Sequence, residues 1–119
     1  MTVTEDARTH LRDALNTEYT LIDIGEGGGS TDITSNSLDA SITAALSTSK
    51  LAATRTTSTE NQIEFTASVV GSTYAGYIIR EVGIFNAGST RMLTRIPIDP
   101  IGPLESTKTY EIRIILEVE

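Results

Sequence analysis

From Thr109 to Val118 the chain alternates. Tyr110, Ile112, Ile114, Leu116 and Val118 share one parity, while Thr109, Glu111, Arg113 and Glu117 share the other, and Ile115 alone breaks the order. Successive side chains of an extended strand point to opposite faces, so this pattern describes a strand with one face in a core and the other in water. "QIEFTASVV" repeats it: Ile63, Phe65, Ala67 and Val69 on one face, Glu64, Thr66 and Ser68 on the other. Between these two runs lie "GYIIREVGIFN" (76–86) and "TRMLTRIPI" (90–98), joined by Asn86-Ala87-Gly88-Ser89, which is hairpin chemistry, with Gly88 expected to take the positive φ of a tight turn. The run at 77–85 is apolar on both faces, Tyr77, Ile79 and Phe85 on one and Ile78, Val82 and Ile84 on the other, which predicts a central strand covered on both sides. Pro100, Gly102 and Pro103 are expected to break the sheet before the last strand.

The first half is less regular. Thr2 and Glu5 have capping-box spacing, and Ala7, Leu11, Ala14 and Leu15 fall on one face, which predicts a helix over about residues 4–15 with a thin apolar stripe. Tyr19–Ile24 reads as a strand. Residues 37–46 fit either a short helix capped by Ser37 or a loop, because Ser and Thr compete with helix by bonding their own backbone. The threonine-rich stretch 51–59 reads as an edge strand. No helix separates the late strands, so the sheets are expected to be antiparallel. The expected architecture is mainly β: an antiparallel β-sandwich with one N-terminal α-helix, one domain over residues 1–119, with its strands within 19–118.

Composition removes several kinds of chemistry. The chain has no cysteine, so disulfides and thiolate metal sites are excluded. The polar, acidic N-terminus does not read as a signal peptide, and no apolar run approaches a helical membrane span. The net charge of −7 would be repelled by phosphate backbones and anionic lipid, so no nucleic acid or membrane partner is expected. Basic residues are mostly arginine, with Lys50 and Lys108 the two lysines, and threonine is abundant; this acidic, lysine-poor balance suits solubility in high salt, as in a halophilic protein.

Candidate reactive groups are few. "GEGGGSTD" (25–32) follows a strand as a phosphate loop would, but it lacks the Gly-Lys of a P-loop, places Ser30 where a dinucleotide fingerprint needs glycine, and carries Glu26 and Asp32, which repel anions. Its glycines are expected to turn the chain. His10 is the single histidine and is expected on the polar side of the helix, so a triad built on it is disfavoured. Glu26, Asp32, Asp99 and Glu105 have no calcium-loop spacing. No catalytic residue, cofactor or metal is expected. Glu81 is the odd acid, lying among apolar residues; it is either a ligand or catalytic acid, or, as preferred here, a structural carboxylate held by backbone N–H groups or by Arg91 or Arg95. Gly83 is expected to leave room for a bulge or for an aromatic ring packed over the strand.

The order of these elements carries a resemblance. Glu81-Val82-Gly83-Ile84-Phe85, the small turn Asn86-Ala87-Gly88, then Met92-Leu93-Thr94-Arg95, Ile96-Pro97-Ile98 and the alternating strand at 109–118 resemble the short β-rich domain of tailed-virus (phage or haloarchaeal virus) tail-fibre and baseplate attachment proteins. The N-terminal helix, the strand ending in "IGEGGGSTD", "SLDASI" and "NQIEFTASVV" follow the same order, so the resemblance spans most of the chain; the proline-rich "IDPIGPLEST" departs from it. It implies a non-enzymatic structural virion protein of the viral tail, assembled in the host cytoplasm, with residues 81–85 as a structural motif and any receptor-binding part on another chain. It also implies partners: itself, as a homotrimer or other symmetric oligomer, and other tail or baseplate proteins. Leu11 and Leu15 are the candidate interface, with packing inside their own domain as the alternative. A capsid decoration or turret protein is the second reading; a carbohydrate-binding module is disfavoured because aromatics are 5% and tryptophan is absent.

Overall fold

Thr4 opens the chain's first regular element. In the computed structural model, which describes residues 3–27, 36–57 and 61–118, its hydroxyl accepts the N–H of Ala7 at 3.2 Å and caps helix α1, Glu5–Glu18. The cap is therefore Thr4 rather than Thr2, which lies outside the described residues, and the helix runs past its expected end at 15. Glu5 and Asp6 sit in the first turn, where the positive end of the helix dipole favours them. No residue of α1 is fully buried, so the helix lies on the domain without entering it.

The chain passes directly into strand β1, Tyr19–Gly25. Next come a short helix α2 (Ile42–Ala45) capped by Ser41, and two short strands, β2 (Leu51–Ala52) and β3 (Thr54–Thr56). Residues 37–46, which fit either a short helix or a loop, thus hold a helix of only four residues, capped by Ser41 and not Ser37, because Ser41 and Thr43 spend their hydroxyls on Asp23 of β1. Four long strands complete the chain: β4 (Gln62–Val70), β5 (Ile79–Asn86), β6 (Met92–Ile101) and β7 (Thr109–Glu117). β6 continues through Pro97 and Pro100, beyond the expected break. Proline is tolerated there because β6 is an edge strand.

The strands form two antiparallel sheets, ordered β2-β1-β5-β6 and β3-β4-β7. This is the expected β-sandwich with one N-terminal helix. β4 and β7 pair from Gln62↔Glu117 to Val70↔Thr109 without a shift in register. Their inward residues, Ile63, Phe65, Ala67, Val69, Ile112 and Ile114, meet Ile22 and Ile24 of β1 and Val82 and Ile84 of β5 in one core. Burying each such side chain stabilises the fold by about 1.5–3 kcal/mol relative to exposing it.

β5 is covered on both sides, as its doubly apolar sequence predicts. Ile79, Val82 and Ile84 join the core between the sheets. Ile79 thereby leaves the face it was expected to share with Phe85, and the register with β6 shifts between Ile79 and Glu81. The other face of β5 lies under the 36–50 segment: Leu38 is buried, and the ammonium of Lys50 sits 4.6 Å from the centre of the Phe85 ring. A Cβ on Gly83 would come within 3.0 Å of both the Phe85 ring and Leu38, so this glycine makes room for an aromatic ring folded over the strand. In the β5–β6 turn the positive φ belongs to Ser89 (57°), not Gly88. Asn86 allows this by accepting the N–H groups of Thr90 and Arg91 at 2.8 and 2.9 Å, which defines the turn without glycine.

Candidate functional site

Two places in the fold hold more than packing requires. The first is a pair of buried acids. Glu81 is fully buried, and its Oε1 accepts the N–H of Asp39 at 3.0 Å. Its Oε2 has no hydrogen-bond partner among the described residues. The described start of the glycine loop lies against this carboxylate: a Cβ on Gly25 or Gly27 would lie 2.9 or 2.7 Å from Glu81 Oε1. Gly25 and Gly27 are thus required by close approach of backbone to a side chain. Residues 28–32 of the same loop, with Ser30 and Asp32, lie outside the described residues. Glu26 binds within the fold as well, its carboxylate accepting the N–H of Ile78 at 3.1 Å.

Asp23 is the second buried acid. It accepts the hydroxyls of Ser41 at 2.7 Å and Thr43 at 2.5 Å, and the N–H of Ile24 at 3.0 Å. Arg95 reaches the same segment from β6: its guanidinium lies 3.4 Å from the Asp39 carboxylate and donates to the Ser37 carbonyl. These contacts share one consequence, which is to fasten the 36–45 segment over β1 and β5. The donor to Glu81 is therefore a backbone N–H, one of the two expected kinds, and it comes from a segment that strand periodicity does not identify.

Among the described residues there is no group of three or more His, Asp or Glu side chains able to hold a metal ion. His10 is exposed on α1. The five motif residues Glu81 to Phe85 are all buried in β5, where they act on packing. Of the helix stripe, Leu15 packs against the edge of the core, whereas Leu11 is 48% exposed. The structure thus separates the two leucines proposed as an interface, because the helix touches the domain along one side only.

The second place is the open side of the sandwich. β6 ends one sheet and β7 ends the other. Between them runs a groove of about 590 Å³ lined by Val82, Ile96, Ile98, Ile101, Ile112 and Ile114, with Asp99, Glu111 and Arg113 at its rim. Ile115 borders the groove and is 60% exposed. On the outer face of β7, Arg113 pairs with Glu64 and Glu111, both at 3.1 Å. Periodicity does not announce this groove, since the isoleucines of β6 resemble any strand interior. The one sequence signal is Ile115, the residue that breaks the alternation of β7.

An apolar groove between two strand edges that no other described strand pairs can accept another polypeptide through main-chain hydrogen bonds and side-chain pockets. No family model, curated protein or solved structure matches the chain. Among the described residues, no helix is long and apolar enough to cross a membrane.

Proposed function

We propose that this chain is a structural virion protein of a tailed virus, a tail-tip, baseplate or tail-fibre attachment component that acts by self-assembly and by binding neighbouring tail proteins. The observation that carries the reading is the open side of the sandwich, where two strand edges, unpaired among the described residues, flank an apolar groove. A soluble chain that leaves such a surface uncovered has an intrinsic tendency to associate. The order of sequence elements around Glu81-Val82-Gly83-Ile84-Phe85 adds support through its resemblance to tail-fibre and baseplate domains. The net charge of −7 fits a virus whose host tolerates high salt.

The role is one of assembly and not of catalysis, with residues 81–85 building the strand that holds the cover in place. The test is to locate the chain in purified virions by mass spectrometry and immunogold electron microscopy. Labelling at the tail tip or baseplate is expected. Labelling spread over the capsid would replace this reading with that of a decoration protein, and absence from virions would end both.

A further inference from the structure

The ladder between β4 and β7 dictates which backbone groups of β7 are free. Gly71 N–H donates to Lys108 O at 2.8 Å and Val118 N–H to Asn61 O at 2.7 Å, at the two ends of one uninterrupted register. Hydrogen-bonded and non-bonded pairs alternate along an antiparallel ladder. The even-numbered residues of β7 therefore bond to β4. Thr109, Glu111, Arg113, Ile115 and Glu117 turn their N–H and C=O groups toward the edge, where no further strand lies among the described residues. Edge strands are commonly protected by proline and bulges. β6 has both, with Pro97, Pro100 and two shifts of register, whereas β7 has neither.

We propose that β7 pairs antiparallel with β7 of a second copy of this chain about a two-fold axis at Ile115, which joins two three-stranded sheets into one of six strands. The inference rests on the self-assembly proposed above and names the surface that would carry it. Facing residues must both be odd-numbered, which leaves few registers. An axis at Glu111 or Arg113 sets identical charges opposite each other, and one at Ile114 sets Glu111 against Glu117. An axis at Ile112 matches Glu111 with Arg113 but leaves Ile115 opposite Thr109. An axis at Ile115 sets Arg113 opposite Glu117 of the second copy, twice by symmetry, leaves Glu111 opposite position 119, past the end of β7, and covers the most exposed large apolar side chain among the described residues against its own equivalent. It also brings the grooves of the two copies side by side.

The test uses the full chain. Light scattering and sedimentation across a concentration series should show a dimer. Because the chain has no cysteine, Ile115→Cys introduces a single thiol, and a short bis-maleimide, which spans a hydrogen-bonded pair more readily than a disulfide does, should link two copies through it. Arg113→Glu or Glu117→Arg should each weaken the dimer roughly tenfold or more, and combining them should restore most of the loss. Ile115→Pro removes an N–H that β4 does not use, so a monomer with an unchanged circular dichroism spectrum is expected; if this variant unfolds, the charge reversals decide. A chain that stays monomeric at all concentrations, or Ile115→Cys copies that do not link, would overturn the proposal. Oligomers indifferent to both charge reversals would overturn edge pairing through β7 while leaving self-assembly through another surface intact. The virion role is judged separately, by where the chain is found in the particle.

Discussion

The two sides of the sandwich treat their edges differently. On one side the chain closes the structure itself: β2 ends the first sheet, β3 ends the second, and only Ala53 separates them, its N–H bonded to Thr20 O at 2.9 Å. The backbone steps from layer to layer there and covers the core. On the other side β6 and β7 end their sheets apart, with the groove between them. Within that open side the two edges differ again. β6 contains two prolines and shifts register, while β7 is regular and carries Glu111, Arg113 and Glu117 facing outward. Closure by the chain itself serves stability, and the open regular edge is the one proposed above to serve association. Substitutions should therefore fall into two groups, those that lower stability alone and those that lower association alone.

The largest effect should come from the core, where both sides depend on the same packing. Phe65→Ala removes a fully buried ring from β4 and should cost about 3–5 kcal/mol in urea or guanidinium unfolding. A loss under about 1 kcal/mol would mean that the two layers do not share one core. A smaller effect is expected beneath the cover. Gly27→Ala places a Cβ 2.7 Å from Glu81 Oε1 and 2.8 Å from Asp39 Cβ, so the loop must shift. We expect a loss of about 1–3 kcal/mol with association unchanged. Full stability in this variant would show that the glycine loop does not bear on Glu81. The smallest effect is expected on α1. Leu11→Ser, on a half-exposed side chain, should change stability by less than about 0.5 kcal/mol and leave the oligomeric state as it was. Dissociation of the assembly by Leu11→Ser would move the interface from β7 to the helix stripe.

The legible parts of this fold are those whose patterns are local. β4 and β7 follow from parity alone, since each buries one face along its whole length. The central place of β5 follows from its two apolar faces. The 36–50 segment was not legible as the lid of β5, because what fastens it is a set of polar contacts between residues far apart in the chain. The Asp39 N–H to Glu81 bond spans 42 positions and the Thr43 to Asp23 bond spans 20. Ser41 and Thr43 look like helix breakers until Asp23 is placed beneath them. The path of β6 through Pro97 and Pro100 was hidden for a related reason: proline excludes an interior strand but permits an edge, and which strand is an edge is not a local property.

By itself, then, the amino-acid order determined the class of the molecule, the identity of its long strands and the side chains that β4 and β7 turn inward, because a two-residue period is set by backbone geometry wherever the ladder is unshifted. It also determined that Ile115 breaks the pattern of its strand. Only the tertiary structure decided which strands are neighbours, that β2 and β3 close one side while β6 and β7 leave the other open, and that Glu81 lies under the glycine loop. Strand pairing is a choice among distant partners, made by the sum of packing over the whole core, and no short window of residues contains that sum.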